Sequence, residues 1–190
     1  IESPAGEATS QSLTRISLTG GPEVSRNCPG SMSRMAFSRD GRRIALGSDT
    51  GVVRVFRASD LATEREFTVN LGRVRRLEFS EEGDHLALAF DVGAVTIHDL
   101  RRADPSPPER RFSGGTLISG LRLSWKDRAL WVAAARRDDW LKRFDLDSGT
   151  RIGPRRSVGY TPVEVDFSWD GDTIGAVNMQ GLFVLEHLKR

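Results

Sequence analysis

The side chains best suited to recognition chemistry in this sequence are arginines and tryptophans held in short polar segments. Arg136-Arg137-Asp138-Asp139-Trp140 puts two guanidinium groups, two carboxylates and an indole side by side. Guanidinium groups grip carboxylates and phosphates bidentately, and Arg and Trp are enriched at interface hot spots. The same segment also reads as a solvated turn whose charges pair internally. Asn70-Leu71-Gly72-Arg73 and Gly159-Tyr160-Thr161-Pro162 are loops of related character. The candidate partner-contacting residues are therefore Asn70, Arg73, Arg136, Arg137, Asp139, Trp140 and Tyr160.

Catalysis has less to work with. His85, His98 and His187 show no metal-ligand spacing. Cys28 is the only cysteine and sits in an Asn-Cys-Pro segment with no base beside it. There is no G-x-S-x-G elbow, no phosphate-binding G-x-x-x-x-G-K and no H-E-x-x-H. Asp49, Asp91 and Asp139 would form an acidic or metal-binding centre only if a closed ring turned all three inward. Asp49 and Asp91 each precede a glycine turn, where aspartate ordinarily bonds its own backbone. No cofactor and no metal ion is expected.

The elements that must position these residues are set by an internal repeat. Met35-Ala36-Phe37-Ser38, Leu77-Glu78-Phe79-Ser80, Leu121-Arg122-Leu123-Ser124 and Val165-Asp166-Phe167-Ser168 share one pattern: apolar, variable, apolar, Ser. Their third residues recur at intervals of 42, 44 and 44 residues. A polar turn follows each, then a short apolar run such as Ile44-Ala45-Leu46 or Leu86-Ala87-Leu88, then a second turn through Gly51, Gly93, the region of Asp139 or Gly181. Strict alternation in Val53-Arg54-Val55 and Val95-Thr96-Ile97 is a strand signal, and no stretch carries helical periodicity. A fourth strand per unit is expected near Glu64–Val69 and Arg110–Ser113. Such a unit has the length and strand count of a propeller blade.

The run from Phe37 to Phe56, with its Asp40-Gly41 and Asp49-Thr50-Gly51 turns, resembles a WD40 repeat. His98-Asp99-Leu100 and Phe144-Asp145-Leu146 stand where such repeats carry Trp-Asp. The repeats depart from that pattern: none has the Trp-Asp pair itself, and no Gly-His precedes an inner strand. Arg143 occupies a slot where the pattern wants an apolar side chain. The resemblance implies an all-β propeller of about four WD40-like blades, possibly part of a larger propeller, spanning about 32–70, 71–114, 115–158 and 159–190. Residues 1–31 hold one further strand at 13–18, which either closes the ring or ends an earlier blade. The resemblance also implies a scaffold or sensor that displays loops on one face.

Composition fits this reading. Hydrophobic content is 38%, charged content 28% and formal net charge +2, so neither disorder nor a strongly basic nucleic-acid surface is indicated. No apolar run is long enough to span a bilayer, and a single cysteine suits a reducing compartment such as the cytoplasm. The expected partner is a protein, or other domains of a longer polypeptide that this chain belongs to; an open array of blades is expected to self-associate. The rival expectations are a propeller hydrolase or lactonase with an axial acidic or metal site, and arginine-mediated binding of nucleic acid or anionic lipid. Replacing Arg136, Arg137 and Trp140 together by Ala is expected to weaken partner binding while leaving thermal unfolding unchanged, as checked by titration calorimetry beside a thermal melt.

Overall fold

The computed structural model describes residues 10–105, 107–134, 141–156, 162–168, 173–177, 181 and 183–187. Among these residues the secondary structure is entirely short antiparallel strands. β1 (Ser10–Arg15) and β2 (Val24–Pro29) form a hairpin. The first large sheet follows as β3 (Met32–Phe37), β4 (Arg43–Ser48), β5 (Val52–Arg57) and β6 (Thr63–Thr68). The second is β7 (Val74–Phe79), β8 (His85–Phe90), β9 (Ala94–Asp99) and β10 (Arg110–Ser113). The third is β11 (Ile118–Ser124), β12 (Ala129–Ala134), β13 (Leu141–Asp145) and β14 (Arg151–Arg156). The fourth contains β15 (Glu164–Phe167), β16 (Thr173–Val177) and β17 (Phe183–His187). In every sheet, sequence neighbours are hydrogen-bonded neighbours.

The repeated serine explains itself locally. It ends the innermost strand, and its hydroxyl accepts the backbone N–H that opens the next: Arg43 to Ser38 at 2.9 Å, His85 to Ser80 at 3.0 Å and Thr173 to Ser168 at 2.9 Å. The Ser38 and Ser80 hydroxyls also donate to Asp40 and Asp84. A small hydroxyl therefore closes the turn and satisfies a backbone donor at once. The second turn is pinned by glycine. Gly51 has φ +82°, its carbonyl accepts from Val69 N–H at 3.0 Å, and a Cβ there would lie 2.2 Å from the Val69 carbonyl oxygen. Gly93 repeats the arrangement against Gly115.

The sheets stack face to face. Ala45, Val53, Val55, Phe67 and Val69 on the forward face of the first sheet pack on Val74, Leu77, Phe79, Leu86, Leu88 and Phe90 on the rear face of the second. Ala87, Ala89, Val95, Ile97 and Phe112 meet Leu121, Leu123, Leu130, Val132 and Phe144 of the third. Ala133 and Leu141 meet Val165, Ile174 and Ala176 of the fourth. Small residues on one side face large ones on the other, so the layers interdigitate. Each large apolar side chain buried this way contributes about 1.5–3 kcal/mol. The hairpin lays Cys28, Leu13 and Val24 over Ile44, Phe56 and Leu61 on the rear of the first sheet.

The structure adds detail to the sequence reading at three places. The strand placed at 13–18 begins earlier, at Ser10, and pairs with β2, which the sequence pattern did not announce. The proline-rich segment after β9 is tied down at Pro105: buried His98 donates from Nδ1 to the Pro105 carbonyl at 2.6 Å, while its Nε2 accepts from Thr96 Oγ1 at 2.8 Å. Burial lowers the His98 pKa and keeps the ring neutral for that role. Arg143 lies at a register shift between β13 and β14 and puts its guanidinium 5.4 Å from the Trp131 ring centroid. Gly51→Ala is expected to lower the unfolding free energy by about 1–3 kcal/mol, because it combines a left-handed backbone with a backbone clash; urea denaturation checks this.

Candidate functional site

The innermost strands β3, β7, β11 and β15 pack side by side in chain order. Each of the first three enters its sheet through a register shift, between Met32 and Arg34, Val74 and Arg76, and Ile118 and Gly120. The extra residue exposes a carbonyl that no ladder bond uses. Arg34 Nε donates to the Arg75 carbonyl of the next sheet at 3.0 Å, and Arg76 Nε donates to the Ser119 carbonyl of the one after at 3.0 Å. The two arginines are one repeated hook, each also holding the carbonyl of its own preceding residue.

At the equivalent slot the third sheet has Gly120, whose absent Cβ leaves room for Val165. The fourth sheet has Glu164, and Arg76 reaches past the third sheet to it at 2.8 Å. One turn of the alternation deeper lie Glu78, Arg122 and Asp166, with Arg122 donating to Glu78 at 3.1 Å. These side chains form a charged cluster between the inner strands. Burial of Glu78, reinforced by the charges of Asp166 and Glu81, overcomes the pull of Arg122 and pushes its pKa up to about 7. Glu78 thus shares a proton with solvent near neutrality although an arginine touches it.

The end of the array above this cluster is rimmed by the turns and links. Arg73 is exposed and pairs with Asp49 at 3.0 Å, and the same carboxylate accepts from Ser33 at 2.8 Å and Ser31 at 3.3 Å. The Ser33 hydrogen bond, then Arg73, holds the Asp49 pKa below its usual value. Asn70 is exposed beside it. Val92, Leu117 and Val163 stand on the same rim, 64%, 63% and 47% exposed. Leu117 has φ +54°, a left-handed conformation that costs a residue with a Cβ about 1 kcal/mol or more.

Of the sequence candidates, Asn70 and Arg73 fall on this rim. Arg136, Arg137, Asp139, Trp140 and Tyr160 lie outside the described residues. The proposed convergence of Asp49, Asp91 and Asp139 is not seen at Asp49, which is engaged by Arg73 and two serines. Among the described residues no group of three His, Cys, Asp or Glu side chains is placed to hold a metal ion. Ser80, Asp84 and His85 do come together, but the Ser80 hydroxyl bonds Asp84, and fully buried His85 is stacked on Trp125 with ring centroids 3.6 Å apart. Arg128 covers the same indole at 4.4 Å. Trp125 is a packing residue in this stack. The sequence reading missed Arg34, Glu78, Arg122 and Glu164 as site residues. For Glu78 and Arg122 the signal was the variable slot of the repeated motif, which carries charge in three of four units; Arg34, Arg76 and Glu164 stand two residues before that slot.

No family model and no curated protein matches the chain in sequence. Solved structures do match in shape. A chain of the mitotic checkpoint complex superposes with TM-score 0.71 at 16% identity, covering 90% of this chain and 52% of its own. A chain of the Kuenenia stuttgartiensis hydrazine synthase gives 0.67 at 17%, covering 83% and 46%. The computationally designed Ika4 protein gives 0.66 at 14%, covering 84% and 92%. The fold is a β-propeller. Its four sheets are blades, and the charged cluster lies among the inner strands of those blades. The chain spans about half the length of the first and second of these neighbours. Among the described residues no helix of the propeller is long and apolar enough to cross a membrane.

The displaced Glu78 pKa sets a pH dependence. Between about 4.5 and about 7 the folded propeller keeps a proton that the unfolded chain releases. Stability therefore falls as pH rises through that window and levels off above it. Glu78→Gln is expected to remove roughly 1–3 kcal/mol of the stability difference between the two ends of that window. Denaturant midpoints measured across the window for parent and variant check this.

Proposed function

We propose that this propeller is a protein-interaction module of the WD40-like repeat type that binds an extended segment of a partner across the rim and mouth of the charged cluster. The observation that carries the reading is Leu117: an apolar side chain held outward, exposed, on a strained backbone, at the link between two blades. Strain of this kind is retained where a position is shaped for contact. Val92 and Val163 extend the apolar footing on either side. Arg73 with Asp49, and Arg76 with Glu164, supply fixed charges of both signs. Such a surface suits a partner segment with apolar anchors flanked by polar groups.

Among the described residues the His85 imidazole meets Asp84, Glu109 and Arg101 through its nitrogens and Trp125 through its face, an arrangement that suits a structural role. The partner is another protein or another domain of a larger assembly, and a cytoplasmic setting is consistent with a lone buried thiol.

The test starts from a displayed peptide library selected on the immobilised chain. Leu117→Gly relieves the backbone and removes the anchor, so it is expected to raise the melting temperature slightly while weakening the selected peptides about tenfold or more. Val92→Asp is expected to weaken them similarly with an unchanged melt. Peptides whose affinity ignores both substitutions would remove the rim as the binding surface.

A further inference from the structure

The link between the second and third blades is built differently from the link before it. Both leave the outer strand the same way: Val69 N–H donates to the Gly51 carbonyl at 3.0 Å, and Gly114 N–H donates to the Gly93 carbonyl at 2.8 Å. From these equivalent residues the first link reaches its inner strand at Val74. The second reaches its own at Ile118, one residue sooner. The shorter link crosses low over the sheets: Gly114 is buried, and a Cβ on it would come within 3.0 Å of Ile118, Val132 and Val95. Leu117 lies in this link on its left-handed backbone. Leu61 and Arg128 share that backbone region, but each closes a turn, its N–H donating to the carbonyl of Arg57 at 2.9 Å or of Trp125 at 3.3 Å. Among the described residues no such turn bond closes on Leu117. Its conformation is therefore set from its two sides.

On the C-terminal side Ile118 is locked into the core shared by the second and third blades. On the N-terminal side stands Lys142, a buried lysine on β13 whose Nζ donates to the Gly114 carbonyl at 2.7 Å. In the same register the first two blades have Arg54 and Thr96. Arg54 pairs with Glu66 and Thr96 with His98, both within their own sheet. Lys142 instead spans to the link that leaves the preceding blade. Gly115 leaves the space for its head group, since a Cβ there would lie 2.8 Å from Nζ. The compact ammonium fits where a planar guanidinium is too wide, in a chain whose only other lysines are Lys126 and Lys189. A buried ammonium is stable only while its hydrogen bonds are made. A link that moved away would strand that charge, so the charge-assisted bond fixes the carbonyl as firmly as the lysine. The residues after Gly114 inherit the taut path that turns Leu117 outward.

We propose that Lys142 is the positioning residue of the rim: its ammonium holds the Gly114–Leu117 link taut and so fixes Leu117 in the outward conformation that a partner segment grips. The inference rests on the rim-binding reading and deepens it. Recognition at Leu117 is set by a buried residue that lies beneath the contact rather than in it.

Two double-mutant cycles test it, one thermal and one in binding. Lys142→Met keeps the length of the side chain and removes the ammonium. In the parent, Leu117→Gly relieves strain and raises the melting temperature. In the Lys142→Met chain the link has already relaxed, so the same change is expected to leave the melt where it is. A lysine that merely stabilised the third blade would lower every melt alike and leave the Leu117→Gly gain intact. In binding, measured below both melts, Lys142→Met is expected to weaken the Leu117-dependent peptides about tenfold, with little further loss on adding Leu117→Gly. Lys142→Gln, shorter but still a donor, is expected to fall between parent and Lys142→Met in both cycles, and it carries the comparison if the methionine variant does not fold. The proposal is overturned if Leu117→Gly raises the melt equally in both backgrounds or not at all in the parent. It is also overturned if Leu117-dependent peptides bind the Lys142→Met chain as tightly as the parent, a result that leaves the rim reading standing. Peptides indifferent to Leu117 would remove the rim reading, and with it the recognition role of Lys142, while the thermal cycle would still decide whether the ammonium holds the link.

Discussion

A sheet with two apolar faces cannot cover either of them by itself, and the rest of this molecule is arranged around that fact. The two central strands of the second blade, β8 and β9, are buried on both sides, so the blade exists as a folded object only between its neighbours. Local propensity sets the strands and turns. Contacts between blades decide which strands become core. The stability of any one blade is therefore largely its neighbour's surface, as in other stacked repeats.

Polar groups are fitted into this apolar stack by repetition. One serine per blade closes a turn from beneath. In the second and third blades a bulge frees a carbonyl, and an arginine from the blade before takes it. Where the arginine is replaced by glycine in the third blade, the adjoining blade approaches more closely instead. Charge then collects among the inner strands as a consequence: once the apolar faces are committed to neighbouring blades, the remaining side of each inner strand is the place left for Glu78, Arg122 and Asp166. The burial that follows displaces the Glu78 pKa upward.

Much of the fold was legible in the sequence because its signals are local and repeated. The apolar–variable–apolar–Ser motif located the inner strand of every blade, and alternation at Val53–Val55 and Val95–Ile97 located the third strand. The hairpin was only half legible: Leu13–Leu18 alternates, but Val24–Pro29 mixes polar residues with a terminal proline and becomes a strand through its pairing and its contact with Phe56. The rim was legible at Asn70 and Arg73, since loops announce themselves by composition. The charged cluster was not, because its members lie about 40 residues apart in the chain and share only a register. A variable slot looks like solvent-facing alternation until the inner strands are brought together. Leu117 was hidden for another reason: its backbone angle, not its residue type, makes it unusual.

The arginine hook has a direction. Arg34 takes a carbonyl from the second blade and Arg76 takes one from the third, always reaching toward the C-terminal neighbour and never back. The bond to the carbonyl is complete within two consecutive repeats, although Arg76 also reaches Glu164 two blades on. A segment of gene encoding the second repeat could then be copied or lost, and Arg34 would still find a bulge carbonyl in the repeat that followed it. The length of such an array is free to change by whole units over evolutionary time, while a change by part of a unit would leave a carbonyl without its guanidinium.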